Sequence, residues 1–395
     1  MTVPFIRNIR INNLLSFGPE SPGLELRALN VLIGPNGSGK TNLIEVLGFL
    51  QSTSKDLSEP IRQGGGITEW LWKGAGKVAM SGMSKASVEI LVEPEKPGNQ
   101  PHQYRIVFTT GGNTVEILNE SIDNNPPGAP MPDYLYVAYR DNFPEIRIKG
   151  EIRKLKADDV NLRQSILSRR KDPDQYPEIT YLGQKFSEFM IYRDWEFGAD
   201  SKVRRWRVPD QQLQHLERDA SNLALMINRM KVNPPVKAQL LRYLKEFYRD
   251  AEDVDIVVAE ALVGFRLEER GISTPAVRLS AGTLRWLSLL AILLNPTPPP
   301  VVCIEEPELG LHPDIIPILA KLLIEASQRM QLIVTTHSDL LVEALSEMPE
   351  SVVVCEKQDG STTLRRLEKS DLSKWLGEYS LGELWRKDEI GGTRW

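Results

Sequence analysis

Apolar and polar positions in the first fifty residues follow two different spacings. Residues 5–11 alternate between apolar and polar, as in a half-exposed strand, and residues 29–33 form a short continuous apolar run. Between residues 40 and 51 the apolar side chains recur at helical spacing. The pattern predicts a strand, a second strand, a glycine-rich loop and a helix, in that order.

The pattern of apolar and polar positions changes twice in the middle of the chain. Short apolar runs separated by Gly, Pro and Asn turns predict an antiparallel β region, with strands at 88–92, 104–109, 115–118 and 134–139 and a proline-rich loop at 126–132. Residues 150–250 are more polar and predict mostly helix. The clearest helical periodicity within them lies at 222–230 and 236–248.

The last third of the chain alternates strands with helices. Predicted strands at 301–304, 331–335 and 352–356 follow or precede predicted helices at 280–294, 313–329 and 338–345. This alternation at both ends of the chain favours an α/β fold with a parallel core sheet, into which the middle is inserted. We therefore expect three parts: an amino-terminal half with a β lobe (1–150), a helical insertion or lid (151–260), and a carboxyl-terminal half (261–395).

Composition and charge narrow the class of protein. The 395 residues are 41% hydrophobic and 26% charged, as in a globular protein with a large core. The formal net charge of −5 excludes a bulk polycation, so nucleic-acid binding would need a local patch, for which residues 202–207 are the candidate. No apolar run approaches the roughly 20 residues of a membrane span, and no signal peptide is evident, so we expect a cytoplasmic protein. Cys303 and Cys355 lie in apolar runs and predict buried thiols.

A phosphate-binding motif follows the second predicted strand. Residues 34–41 match G-x-x-x-x-G-K-[ST] in full and open a helix. Glycines let the backbone wrap around a phosphate, and the helix amino terminus attracts the anion. Lys40 is expected at the β- and γ-phosphates and the Thr41 hydroxyl at Mg²⁺. The predicted nucleotide contacts are Gly34, Pro35, Asn36, Gly37, Ser38, Gly39, Lys40, Thr41 and Asn42.

Two adjacent acids end the apolar strand at 301–304. Neighbouring carboxylates repel each other unless a metal ion or a bound water uses them. We assign Glu305 to the metal and Glu306 to the activation of the attacking water. The alternative for such a pair is a solvated strand end.

A third motif opens the helix that precedes this strand. The segment Leu279, Ser280, Ala281, Gly282, Thr283 resembles the LSGGQ signature of ABC ATPases, with Ala281 and Thr283 as departures. Its serine and amides suit a γ-phosphate. The alternative is an ordinary serine cap of an amphipathic helix. In the family this loop completes the nucleotide site of another subunit, which implies a homodimer or higher oligomer in which two subunits sandwich two ATP molecules.

Together these motifs resemble the ABC-type ATPases of the SMC/RecF/OLD group. The form IEEPELGLHP at 304–313, followed by THS at 336–338, is similar to RecF- and OLD-like members. The resemblance implies ATP and Mg²⁺ as ligands, and it places His337 at the γ-phosphate and the attacking water. It is strong at 1–50 and 275–345 and weak between them. Residues 381–385 and 391–392 resemble stand-alone members of the group, and residues 346–395 are too few for the nuclease domain of OLD proteins.

Some expected family parts are not evident in the sequence. Gln63 is a weak candidate for the glutamine loop, and Phe17 or Asn13 for the adenine contact. The resemblance implies a dimeric ATPase that drives or gates a separately encoded effector, in DNA repair or in defence against phages. The alternatives are an ATP-dependent DNA clamp using residues 202–207 and, less favoured because of the long insertion, the motor subunit of a transporter.

Overall fold

The computed structural model describes residues 3–74, 85–95, 100–123, 137–140, 143–148, 151–154, 161–209, 214–373, 375 and 378–392. At 137–140, 143–148 and 151–154 it describes the backbone alone. The loop predicted at 126–132 and the first half of the strand predicted at 134–139 lie outside the described residues.

The strands follow the apolar runs of the sequence closely. In chain order they are β1 (Ile6–Asn12), β2 (Leu24–Glu25), β3 (Leu29–Ile33), β4 (Ala86–Val92), β5 (His102–Gly111), β6 (Thr114–Asp123), β7 (Val137–Arg140), β8 (Phe143–Ile148), β9 (Glu151–Lys154), β10 (Met190–Tyr192), β11 (Ala251–Ala259), β12 (Leu262–Glu269), β13 (Ile272–Pro275), β14 (Val301–Glu305), β15 (Gln331–Thr335), β16 (Val352–Gln358) and β17 (Ser361–Arg366).

The helices gather at the two ends of the chain and in its polar middle. They are α1 (Lys40–Thr53), α2 (Ser58–Gln63), α3 (Ile67–Trp70), α4 (Ile166–Arg169), α5 (Pro177–Ser187), α6 (Leu223–Val232), α7 (Pro234–Phe247), α8 (Ala281–Leu293), α9 (Ile316–Ser327), α10 (Asp339–Glu343), α11 (Lys369–Leu372) and α12 (Leu381–Arg386). Short 3₁₀ turns at Lys202–Arg204, Ala276–Arg278, Pro313–Ile315 and Pro349–Ser351 join some of these elements.

A six-stranded sheet in the order β10-β14-β15-β3-β16-β17 forms the core. Its first five strands are parallel, and β17 pairs antiparallel with β16. Every residue of β3 and β15 is buried, as expected for strands covered on both faces. Because the carboxyl ends of parallel strands share one edge, the loops after β3, β14 and β15 meet there.

Two hydrophobic clusters cover the two faces of the core sheet. Successive residues of β3 alternate between them, with Val31 in one and Leu32 in the other. The cluster that contains Leu32 includes α1, α4, α5 and the β lobe. The cluster that contains Val31 includes helices α6 to α10, α12 and the small sheet of β11 to β13.

An eight-stranded antiparallel lobe, in the order β2-β1-β4-β5-β6-β7-β8-β9, packs on α1. The rings of Phe49 on α1 and Phe108 on β5 lie 4.9 Å apart. This arrangement confirms the predicted α/β class, with a mixed core sheet and an antiparallel β lobe.

The segment predicted as a helical insertion contributes more than helices. Residues 190–192 form β10 and become an edge strand of the core sheet. Residues 251–275 form the antiparallel sheet β11-β12-β13. The interpretation of 150–250 as mostly helix missed β10 because three residues are too few to show a period. The three-part division at 150 and 260 stays a prediction.

Candidate nucleotide-binding site

The phosphate loop connects β3 to α1 and depends on two glycines. Gly34 has a φ of 148°, and a Cβ there would lie 2.2 Å from the carbonyl oxygen of Cys355. Gly39 has a φ of 104°, and a Cβ there would lie 2.2 Å from Thr362 Oγ1. No other residue type fits either position. The loop is therefore pressed against β16 and β17 at its two ends.

Lys40 begins α1 and turns back into the loop. Its Nζ donates hydrogen bonds to the carbonyl oxygens of Gly34 at 2.7 Å and Pro35 at 3.0 Å, and the residue is buried. The first turn of α1, which is described in full, contains no acidic residue. Its positive end is thus available to an anion that the ammonium also attracts.

Two hydroxyls support the loop from behind. Thr362 Oγ1 donates to the carbonyl oxygen of Ser38 at 2.8 Å and accepts from the Ser16 hydroxyl, whose Oγ lies 2.6 Å away. Asn42 Nδ2 donates to the same Ser16 hydroxyl at 2.7 Å. The structure thus gives Asn42 a supporting contact, and its direct contact with nucleotide stays a prediction. Asn36 and Gly37, at the exposed tip of the loop, are open to a ligand.

Glu305 ends β14 beside the start of α1. Burial raises the pKa of its carboxyl, while the Arg193 charge and a hydrogen bond with the Thr41 side chain lower it in part. Its Oε1 is buried and has no hydrogen-bond partner among the described residues. A buried, unsatisfied carboxylate oxygen next to a threonine hydroxyl is the donor set that Mg²⁺ prefers. The residues present fit the predicted metal site.

Glu306 turns away from Glu305 through an unusual backbone. Its φ is 44°, a left-handed value that is costly for any residue other than glycine. The turn is fixed by its N–H, which donates to the carbonyl oxygen of Thr335 at 3.0 Å. It leaves Glu306 Oε1 3.7 Å from Nε2 of His337, which follows β15. The two residues predicted to handle the attacking water are therefore neighbours.

Glu308 contacts the loop that carries His337, and the sequence analysis did not single it out. Its Oε1 accepts hydrogen bonds from Thr336 Oγ1 at 2.6 Å and from the backbone N–H of His337 at 3.0 Å. Burial raises the pKa of the Glu308 carboxyl. This carboxyl holds the backbone of His337. Its place within the acidic motif after β14 was visible, but its partner in the next loop was not.

Arg193 lies close enough to Glu305 for its charge to lower the pKa of that carboxyl. It follows β10, the strand next to β14, and its Nη1 lies 3.2 Å from Glu45 Oε1. Gln63, the weak candidate, ends α2 and donates to Glu59 at 3.3 Å. The strand that neighbours the acid pair thus ends in an arginine. Asp194, with a φ of 54°, follows it.

The predicted signature segment caps α8. The alternative interpretation, a serine that only caps the helix, predicts the same contact. Ser280 Oγ accepts from the N–H of Thr283 at 3.0 Å, and a Cβ on Gly282 would lie 3.0 Å from the carbonyl oxygen of Gly310. Ser280 and Gly282 line a cavity of about 610 Å³, together with Gly310 and His312. None of residues 34–41 lines that cavity. The nucleotide role of Ser280, Ala281 and Gly282 stays a prediction.

The basic cluster at 202–207 is only partly available to an outside partner. Lys202 pairs with Asp219 at 2.7 Å, and all three guanidinium nitrogens of Arg204 donate to backbone carbonyl oxygens. Arg205 and Trp206 are exposed. DNA binding through this cluster stays a prediction, and Arg204 is not available for it.

The carboxyl-terminal motif returns to the phosphate loop. The indole N–H of Trp385 donates to the carbonyl oxygen of Gly392 at 3.0 Å, and Gly392 N–H donates to Glu356 Oε1 at 2.8 Å. Gly392 has a φ of 72°, and a Cβ there would lie 3.4 Å from the Cα of Gly34. The predicted resemblance at 381–385 and 391–392 therefore marks a contact with the phosphate loop.

Neither of the two candidates for the adenine contact is placed to bind a base. Phe17 is fully buried and has no face open to a base. Asn13 donates through Nδ2 to the carbonyl oxygen of Lys85 at 2.9 Å. A cavity of about 820 Å³ beside α1 and β10 has charges of both signs and is lined by no residue of 34–41. This cavity therefore does not indicate where an adenine base binds.

A family model covers most of the chain. Residues 29–343 match the family described as "AAA domain, putative AbiEii toxin, Type IV TA system". The chain belongs to this family. No curated protein matches the chain. With the phosphate loop of the preceding paragraphs, this membership makes the chain a P-loop NTPase.

Solved structures of similar fold are heads of SMC proteins. An SMC head bound to the C-winged helix domain of ScpA has a TM-score of 0.58 at 13% identity, covering 93% of this chain and 99% of that chain. An SMC head from Pyrococcus furiosus, also bound to a ScpA domain, has 0.55 at 13%, covering 95% and 99%. One from Pyrococcus yayanosii has 0.51 at 12%, covering 95% and 99%. The predicted ABC-type ATPase fold of the SMC/RecF-like group is confirmed. Within the described residues, no helix combines the length and apolarity that a membrane crossing needs.

Proposed function

We propose that the chain binds ATP with Mg²⁺ and hydrolyses it as a head-to-tail homodimer. Each site combines residues 34–41 of one copy with Ser280, Ala281 and Gly282 of the other. The support comes from the edge of the core sheet, where the phosphate loop, the acid pair and His337 meet in one chain.

The dimer proposal depends on the cavity that the signature segment lines. Ser280 faces a cavity that contains no part of its own phosphate loop. Val277 and Leu309, each next in sequence to a residue that lines this cavity, are 59% and 58% exposed, and we propose that they belong to a surface that a second copy covers. A serine that only capped its helix would not require such a surface.

The proposed chemistry uses the arrangement at the sheet edge. Lys40 and the loop amides bind the β- and γ-phosphates, and they stabilise the charge that moves to the β-phosphate as the bond to the γ-phosphorus breaks. Glu306 Oε1 accepts the proton of the water that attacks this phosphorus. His337 Nε2, 3.7 Å from that oxygen, orients the water. Thr41 and Glu305 would hold Mg²⁺, which when bound neutralises phosphate charge.

The test is the Glu306→Gln variant, which keeps the side chain's size and removes its ability to take a proton. We expect ATP binding to persist while turnover falls at least about a hundredfold. With ATP the variant should double in mass by size-exclusion chromatography with light scattering. The double variant Lys40→Ala, Glu306→Gln should stay monomeric under the same conditions. A Glu306→Gln protein that hydrolyses ATP at the wild-type rate, or that remains monomeric with ATP, contradicts the proposal.

A second proposal concerns the biological role of the dimer. The family description names a toxin of a type IV toxin–antitoxin system, and solved SMC heads are seen with ScpA domains. We infer that dimer opening and closing drives or gates a separately encoded effector, in DNA repair or in defence against phages. Co-purification of the chain with the products of neighbouring genes, with and without ATP, tests this role.

A further inference from the structure

Arg204 makes an unusual set of contacts. It ends the 3₁₀ turn Lys202–Arg204, and its guanidinium lies within hydrogen-bond distance of five acceptors, all of them backbone carbonyl oxygens. Nε donates to Gly198 at 2.8 Å and Nη2 to Phe197 at 2.9 Å. The two hydrogens of Nη1 are shared among three carbonyl oxygens, that of Leu279 at 2.8 Å and those of Ala276 and Val277 at 3.2 Å each. Only arginine has a planar fork with donors in these directions.

These bonds join two segments that are far apart in the sequence. One is the loop at 197–198 that follows the edge strand β10. The other is the turn at 276–279, whose next residue is Ser280, the cap of α8. The backbone that leads into the signature is thus held by a side chain from more than seventy positions earlier.

The first segment is itself firmly fixed. The ring of Phe197 is buried and packs against Trp195, with centroids 5.5 Å apart. The buried guanidinium of Arg285 lies over both rings, at 5.4 Å from Trp195 and 5.7 Å from Phe197, and donates to the carbonyl oxygen of Glu306 at 3.0 Å. Arg204 therefore ties the signature lead-in to the rigid part of the molecule that carries the acid pair.

We infer that Arg204 is a positioning residue, which holds residues 276–279 so that Ser280 and the amides after it face the γ-phosphate bound by a second copy. The inference rests on the proposed function, because only a signature that acts on the other copy needs this placement. Arg204 contacts none of residues 34–41, so its effect on nucleotide bound in its own chain is indirect.

The experiment compares Arg204→Gln and Arg204→Lys with Arg205→Gln as the matched control. Arg205 belongs to the same basic cluster but is exposed and donates to the carbonyl oxygen of Asp200 at 3.1 Å. Glutamine keeps polarity and loses the fork, and lysine keeps the charge alone. For each protein, ATP affinity is measured at a concentration where the chain is monomeric. Turnover is measured without DNA, and ATP-dependent dimer is measured in the Glu306→Gln background.

We expect Arg204→Gln to bind ATP within about twofold of wild type and to lose at least about tenfold in turnover. Its ATP-dependent dimer should be lost in parallel. Arg204→Lys should lie between Arg204→Gln and wild type, and Arg205→Gln should match wild type. If Arg204→Gln does not fold, as judged by its melting temperature, the same split between affinity and turnover is read from Arg204→Lys.

Two results would overturn the inference. One is wild-type turnover and dimer formation in both Arg204 variants. The other is a loss of ATP affinity as large as the loss of turnover, which shows a general structural role. The Glu306→Gln protein without any Arg204 substitution tests the proposed function separately. If the proposed function is wrong, this protein forms no dimer with ATP.

Discussion

Glu305 and Glu306 are consecutive residues with different environments and different chemistry. The strand direction buries Glu305, and its Oε1 is left without a partner among the described residues. The left-handed backbone at Glu306 turns the next carboxyl toward His337. Strain of this kind is retained where function requires it. One change of backbone region thus separates the predicted metal ligand from the predicted base.

Lys40 offers a direct test at this scale. Its ammonium donates to two carbonyl oxygens of the loop, and we propose that the same group binds phosphate. We expect Lys40→Ala to weaken ATP affinity at least about tenfold, because a charge-assisted contact is lost. Isothermal titration calorimetry measures the affinity. Lys55→Ala, an exposed lysine just beyond the same helix, is the control, and equal ATP affinity in Lys40→Ala and wild type would disprove the role.

At the scale of elements, local motifs were predictable and long-range supports were not. The phosphate loop, β14 and β15 are contiguous, strongly apolar or motif-bearing segments, so the sequence located them to within a few residues. By contrast, the hydrogen bond between Thr362 and Ser16 joins positions 346 apart, and no local period signals it. The partner of Glu308 was missed for the same reason, whereas β10 was missed because three residues are too few to show a period.

The β lobe contains a buried carboxyl whose titration can be measured. Glu120 on β6 accepts from Tyr104 OH at 2.8 Å, from Ser165 Oγ at 2.5 Å and from the N–H of Ile166 at 2.9 Å. Burial raises its pKa despite these bonds. The folded protein therefore holds this proton more tightly than the unfolded chain. The stability that the proton contributes is complete below the ordinary value of 4.5 and is lost as the pH rises through the folded-state pKa.

We expect the Glu120→Gln variant to lack this dependence. The difference in free energy of unfolding, wild type minus variant, should fall as the pH rises above 4.5, by at most about 1.4 kcal/mol per pH unit. Urea unfolding between mildly acidic and neutral pH measures it. Glu116→Gln, a partly exposed position on the same strand, is the control. Parallel curves for wild type and Glu120→Gln would show that Glu120 has an ordinary pKa.

At the scale of the whole molecule, both ends of the chain meet the phosphate loop. Ser16 near the amino terminus and Gly392 near the carboxyl terminus both contact it or its supports. The loop is thus fixed by segments that lie far from it in the sequence on both sides. ATP affinity should therefore respond to changes far from residues 34–41 in the sequence.

Gly392→Ala tests this dependence. A Cβ there would lie 2.9 Å from Val354 Cγ1 and 3.4 Å from the Cα of Gly34. We expect ATP affinity to fall at least about fivefold as the loop shifts, together with a lower melting temperature. Gly112→Ala is the control, because its φ of 70° imposes the same backbone cost with nothing within 4 Å. Equal ATP affinities in the two variants would show that the contact with Gly34 is passive.

The burial of both cysteines has a practical consequence. Cys303 and Cys355 are fully enclosed in the core sheet, and burial raises the pKa of Cys355 to about 12 and that of Cys303 further. Thiolate, the reactive form, is therefore scarce at neutral pH. A single cysteine introduced at an exposed position such as Leu309 can take a fluorescent maleimide without removing the native thiols. An optical reporter of subunit approach thus needs one substitution.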